Sequence, residues 1–216
     1  MTDPYLAPDF ASSALVTIDT QRDTLDGGPF EIPGTSDALP HVRRLAEAFR
    51  ATGRPIVHVV RLYRPDGSNV DLCRRRAVED GARLVLADSP GAELAPGLLP
   101  AGASRLDTQL LLASGIQHVG PAEVIIYKPR WGAFFETPLE AHLRPLGVST
   151  LVFCGCNFPN CPRASVYEAS ERDFRLVLVR DAVSGLYERG EHEMRAIGVA
   201  LMDADAVVAR VLATPP

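Results

Sequence analysis

Short apolar runs alternate along the chain with stretches whose apolar residues recur at helical spacing. Ala14-Leu-Val-Thr-Ile-Asp19 is an apolar run that ends in an acid, and it predicts a buried strand with a carboxylate at its C-terminal end. Pro55-Ile-Val-His-Val-Val60, Glu123-Val-Ile-Ile-Tyr-Lys128, Thr150-Leu-Val-Phe-Cys154 and Arg175-Leu-Val-Leu-Val179 repeat the pattern, and a sixth short strand is expected near Ala206-Val-Val208. Between Ser36 and Gly53, the residues Leu39, Val42, Leu45, Ala46 and Phe49 share one helical face, with Ser36 as cap and Gly53 as stop. Thr137-Pro-Leu-Glu140 has the form of a capping box and opens a helix to about Leu146. Further helices are predicted over Pro162–Asp173 and Glu191–Asp203.

Strand–helix alternation of this kind predicts an α/β fold: three layers, α/β/α, around a mostly parallel, Rossmann-like sheet of six strands. Ligands bind beyond the C-terminal ends of the strands in such sheets. Asp19, Lys128 and the segment after Cys154 all sit at such ends, so residues far apart in sequence can converge. The stretch 61–122 breaks the alternation and is too long for a plain connection. It is expected to be an irregular lid or interface insertion within one domain spanning residues 1–216.

Composition narrows the classes. With 46% hydrophobic and 23% charged residues in 216, the chain is globular in make-up and large enough for a sizeable core. A net charge of -5 without a dense basic run argues against nucleic acid and anionic membrane as partners. No apolar stretch reaches the roughly 20 residues of a membrane span, and Met1 to Ser13 lacks a signal-peptide pattern, so a cytoplasmic location is expected. Three of the four cysteines lie within residues 154–161, which is not a disulfide framework. Their spacing and the lack of a fourth ligand fit a structural zinc site poorly.

Cys161 precedes Pro162 and a run of helix formers, which places its sulfur at a helix N-terminus. The positive end of the helix dipole lowers a thiol pKa there. A free buried cysteine is more commonly inert, and position alone does not separate the two readings. Asp19 alone reads equally as a cap or loop ion pair, and Lys128 alone as a solvated strand end. Together, a carboxylate, an ammonium and a thiol at neighbouring strand ends form a nucleophile with a base and a cationic orienter. Trp131, Phe134 and Phe135 are core residues or an aromatic pocket wall, with Trp131 and Phe135 the better wall candidates. The run Arg74-Arg-Arg76 reads as a solvated face, with an anionic-substrate site as the less favoured alternative.

Lys128-Pro-Arg-Trp-Gly-Ala-Phe-Phe-Glu-Thr-Pro-Leu-Glu140 resembles the lysine motif of isochorismatase-like cysteine hydrolases. Ile18-Asp-Thr-Gln-Arg-Asp23 resembles their aspartate strand, and Phe153-Cys-Gly155 through Cys161, Ala164 and Ser165 their nucleophile segment. Ser89 to Pro100, Asp181-Ala182 and His192 fit the same pattern, which spans about Ala14 to Asp205. The resemblance implies that Asp19, Lys128 and Cys161 are catalytic, with a thioester formed on Cys161 from an amide or N-carbamoyl small molecule. It implies an oxyanion hole of the Asn157 and Cys161 backbone N–H groups, a cis peptide between Cys156 and Asn157, no cofactor, and a homo-oligomer. Phe158 stands where many relatives have Thr, which predicts a larger, apolar pocket wall, and Gly132 stands for the usual Ser. Nicotinamidase-type relatives bind a metal through Asp-x-His and a later His after the second strand. Here Arg61-Leu-Tyr-Arg64 follows that strand, so no catalytic metal is expected. A vinyl-ether hydrolase without a cysteine nucleophile, and a redox-responsive or non-catalytic binding protein, are the competing functions.

Overall fold

The computed structural model describes residues 3–215. Its strands are β1 (Ser13–Ile18), β2 (Ile56–Val60), β3 (Ile116–Gly120), β4 (Glu123–Tyr127), β5 (Thr150–Gly155), β6 (Arg175–Val183) and β7 (Ala200–Met202). The helices are α1 (Thr35–Ala51), α2 (Leu72–Glu79), α3 (Thr108–Leu112), α4 (Leu139–Leu143), α5 (Cys161–Ser170), α6 (Glu188–Ala196) and α7 (Ala204–Ala213). The strands form one seven-stranded sheet in the order β3-β4-β2-β1-β5-β6-β7, in which only β3 runs antiparallel.

Because strand side chains alternate faces, the apolar runs feed two cores. Leu15, Ile56, Ile125, Val152 and Val177 point to the side covered by α1 and α7, where Val42, Phe49, Val207 and Val211 meet them. Val16, Val57, Val124, Leu151 and Leu176 point to the other side, against Leu139 of α4, Val166 of α5 and Met194 of α6. This is the expected three-layer α/β/α architecture. Among the described residues, no helix is long and apolar enough to cross a membrane.

Two strand expectations fail. The expected strand at Ala206–Val208 lies inside α7, where Ala204, Val207 and Val211 recur at helical spacing and are buried. The closing strand is β7, because α6 stops at Ala196 and Gly198, with φ 82°, turns the chain back to the sheet. Strand β3 lies within the 61–122 stretch and is the seventh strand, only part of it buried. The rest of that stretch includes α2 and a small apolar cluster of Tyr63, Val70, Leu84 and Val85.

One buried polar relay ties α1 to the sheet centre. Glu123 accepts from Arg50 Nε and Nη2 at 2.7 Å each, and its Oε1 lies 2.7 Å from His58 Nε2. His58 Nδ1 lies 2.8 Å from Thr17 Oγ1. Burial, opposed by Glu123, holds the His58 pKa below its ordinary value, so the ring is neutral. A carboxylate only accepts; Nε2–H therefore donates to Glu123 and Thr17 donates to Nδ1. Burial pushes Glu123 up, but the hydrogen bonds from Arg50 and His58 outweigh it and its pKa ends below the usual value. Both groups thus take up protons more readily when unfolded, so stability rises with pH through their titrations. Urea unfolding should show stability falling as pH drops below about 6.5, and again below about 4.3. His58→Gln should flatten the upper part of that slope; an unchanged slope would remove His58 as its source.

Candidate active site

The carboxyl edge of the sheet brings the expected groups together. Asp19 follows β1, and its N–H is held by Val59 O at 2.9 Å. Lys128 follows β4, and its N–H is held by Val60 O at 3.0 Å. Both therefore hang on the end of β2, which lies between β1 and β4. Lys128 Nζ lies 2.8 Å from Asp19 Oδ2, and the lysine is fully buried. Nζ also donates to Arg130 O at 3.3 Å. Asp19 has φ 46°, a left-handed conformation uncommon outside glycine and characteristic of constrained sites. Next to it, Gly155 ends β5 with φ 111°; a Cβ there would lie 2.2 Å from Ile18 O, so only glycine fits.

Cys161 is the first residue of α5, with Asn160 as N-cap and Pro162 inside the first turn, one position from the expected placement. Burial pushes its thiol up to about 11, and the Asp19 charge adds to this, while Lys128 and Arg61 pull it down. The expected lowering by the helix end is therefore outweighed. At neutral pH the sulfur is a thiol that needs a base. Asp19 Oδ1 has no hydrogen-bond partner, which leaves an acceptor free beside it.

Among the described residues, no acceptor takes a hydrogen bond from the Asn157 or Cys161 N–H. The turn between them is held instead by Phe158 N–H to Ser184 O at 2.8 Å and Asn160 N–H to Asn157 O at 3.1 Å. The Cys156–Asn157 peptide is trans, against the expectation of a cis bond.

The expected pocket residues divide. Asp19, Asn157 and Cys161 line one narrow cleft with Phe30, Arg61 and Arg74. Its cavity volume is about 10 Å³, room for roughly one water. Trp131 and Phe135 line a different, open groove of about 560 Å³ with Leu72 and Cys73. Phe158 is fully buried in the core and packs edge-on against Tyr187 at 5.4 Å, so it walls neither space. The aromatic beside the cleft is Phe30, whose ring lies 4.3 Å from the Arg74 guanidinium. At Gly132, where relatives carry Ser, a Cβ would meet the Glu168 carboxylate, which accepts from Phe134 N–H at 2.8 Å. The Glu168 side chain of α5 thus occupies the space that a serine would take.

Sequence reasoning missed Arg61 and Gln21. Arg61 follows β2, is 3% exposed, and its Nη1 contacts Asp71 Oδ2 at 2.9 Å and Pro129 O at 2.7 Å. Gln21 clamps the Arg61 backbone on both sides, accepting from its N–H and donating to its carbonyl, both at 2.9 Å. The available signal was a third charge at a strand end, beside Asp19 and Lys128 in sheet order.

Among the described residues, no three His, Cys, Asp or Glu side chains converge as metal donors. The position after β2 carries a guanidinium, which cannot ligate a metal, and His58 is enclosed by Thr17 and Glu123. The residues do not fit a metal of the nicotinamidase type.

The Isochorismatase domain pattern matches residues 13–206. The chain belongs to the isochorismatase family. An isochorismatase family protein from Desulfovibrio vulgaris has the same fold, with a TM-score of 0.79 and 33% identity over 94% of this chain and 100% of that one. A protein named as a probable inactive nicotinamidase from Arabidopsis thaliana is 28% identical over 90% of this chain and 93% of its own length. An N-carbamoylsarcosine amidase from an Arthrobacter species is 30% identical over 74% of this chain and 54% of its own length.

Ultraviolet titration of the thiolate should place the Cys161 step near pH 11, absent in Cys161→Ser. Exposed Cys73 should react first with iodoacetamide at neutral pH. A Cys161 step below about 7.5, the activated range, would overturn this account of the resting site.

Proposed function

We propose that this isochorismatase-family hydrolase, which acts on C–N bonds, cleaves a small amide or N-carbamoyl compound through a thioester on Cys161. The observation that carries the reading is the buried Lys128–Asp19 pair, whose free Oδ1 and charge act on the Cys161 thiol. Asp19 takes the thiol proton, and the sulfur attacks the carbonyl carbon. The resulting oxyanion sits against the unpaired N–H groups of Asn157 and Cys161, where fixed dipoles in a dry site stabilise developing charge. Protonated Asp19 returns the proton to the leaving nitrogen as the C–N bond breaks. Water then enters and gives a proton to Asp19 as its oxygen attacks the thioester carbonyl; the C–S bond breaks, the acid leaves, and Asp19 returns the proton to the Cys161 sulfur. Lys128 holds Asp19 in place and offsets its charge. The family relative from Arthrobacter is named for an N-carbamoyl substrate, which supports this substrate class. The cleft is narrow, so productive entry requires lining side chains such as the half-buried Phe30 and Ile32 to move.

Ammonia release from primary amides and N-carbamoyl compounds should fall by about a thousandfold or more in Cys161→Ser and Asp19→Asn, with circular dichroism unchanged. Quenched turnover should show an acyl adduct on Cys161 by mass spectrometry. Full activity of Cys161→Ala on a vinyl ether, without amide turnover in the parent, would overturn the reading. Lys128→Met should also destabilise the fold by about 3–5 kcal/mol in urea, since it leaves Asp19 buried without its partner.

A further inference from the structure

Arg61 has more hydrogen-bonding capacity than the protein uses. Its Nη1 is committed to Asp71 and the Pro129 carbonyl, at 2.7–3.1 Å. Its Nε and Nη2 are buried and have no partner. Those two nitrogens form the side-on edge of the guanidinium, the pair of parallel donors that matches a carboxylate. The side chain is 3% exposed and lines the cleft over Cys161 together with Asp19, Asn157 and Arg74.

The edge is held in place rather than left over. Gln21 fixes the Arg61 main chain from both sides. Asp71 fixes the far end of the guanidinium, and Asp71 is itself fixed by Tyr63 Oη–H at 2.6 Å. A buried donor left without an acceptor carries the full cost of its desolvation, and for a charged group that cost is large. Protein interiors leave few buried donors unpaired, and two on one rigid fork call for an occupant. The Asp19 carboxylate, which lines the same cleft, holds Lys128 through Oδ2, and its free Oδ1 makes no hydrogen bond to either Arg61 nitrogen.

We infer that Arg61 is the substrate-anchoring residue of this cleft and that the substrate is an acid amide, carrying a carboxylate a short chain away from the scissile carbonyl. The inference rests on the reading of Cys161 as nucleophile, because it assigns the same cleft to substrate. Bidentate capture at Arg61 fixes the acyl chain at one end, so the carbonyl at the other end is presented to the Cys161 sulfur in one orientation. Arg74, half-buried on the Phe30 ring, adds positive charge at the rim.

The test uses oxamate, malonamate and succinamate, three acid amides of increasing length, each against its methyl ester. Calorimetry on the Cys161→Ala protein reads binding, and ammonia release by the parent protein reads turnover. At least one acid should bind about tenfold or more tighter than its ester, the difference expected of a charge-assisted pair. Arg61→Lys should lose most of that gap through KM rather than kcat, whereas Arg76→Ala, on the exposed face of α2, should keep it. Should the Arg61 variants fail to fold, a crystal of Cys161→Ala with the preferred acid decides, since its carboxylate must lie on Nε and Nη2 of Arg61. Esters that bind as well as all three acids, a gap that survives in Arg61→Lys, or a carboxylate seated elsewhere would each overturn the assignment. A binding preference without ammonia release from any compound would keep Arg61 as anchor and sink the hydrolase reading instead.

Discussion

A fully buried lysine against a carboxylate is the constraint around which the rest of this molecule is arranged. Taking an ammonium and a carboxylate out of water costs several kcal/mol per ion, and only close geometry and added hydrogen bonds recover it. Lys128 and Asp19 meet that condition because their main chains are both anchored to the last residues of β2, at Val59 and Val60. The pairing of β1 and β4 with β2 is therefore what sets the distance between Nζ and Oδ2. A slip of one residue in either ladder would turn the side chain to the opposite face and strand a charge in the core.

Hydrophobic pattern was enough to reveal that frame. The five central strands are apolar runs bounded by turn residues, and two of them end in the charges that pair, so Asp19 and Lys128 were legible before any coordinates. Cys161 was legible through Pro162, which marks the first turn of α5. The sheet margins were not legible. Strand β3 is a partly polar edge strand, so it lacks the apolar signature of the interior strands. Strand β7 is only three residues long, and none of them is fully buried. The Val207–Val208 doublet imitated a strand, although tertiary packing on α1 and β6 makes it a helix face.

The pocket was less legible than the placement of Asp19, Lys128 and Cys161, for a reason of the same kind. A motif places a residue along the chain, but the wall of a cleft is decided by which loops fold over it. Trp131 and Phe135 lie a few residues beyond Lys128 in sequence, yet the chain leaves the sheet after Tyr127 and carries both to a neighbouring groove, which Asp71 and Arg130 also line. Phe30 comes from a segment with no resemblance to attract notice, and Arg74 from a run read as a solvated face; Arg75 and Arg76 are exposed, whereas Arg74 is half-buried and lines the cleft. Likewise, a helix N-terminus in isolation predicts a lowered thiol pKa. At Cys161 the loss of water around the sulfur is the larger effect, and it leaves the proton on until a base removes it.

In sheet order, the carboxyl edge presents Lys128 after β4, Arg61 after β2, Asp19 after β1 and Cys156 after β5. Two cations thus flank the carboxylate side of the cleft, one tied to Asp19 and the other to Asp71. The two ties differ in what they leave open. Asp19 retains a free oxygen, an acceptor, whereas Arg61 retains a free pair of donors. The strands hold the first, and the 61–122 cover, through Tyr63 and Asp71, holds the second. Both ties are buried ion pairs, so breaking either would leave a charge without its partner; they differ in that paired strands set one and loop segments set the other.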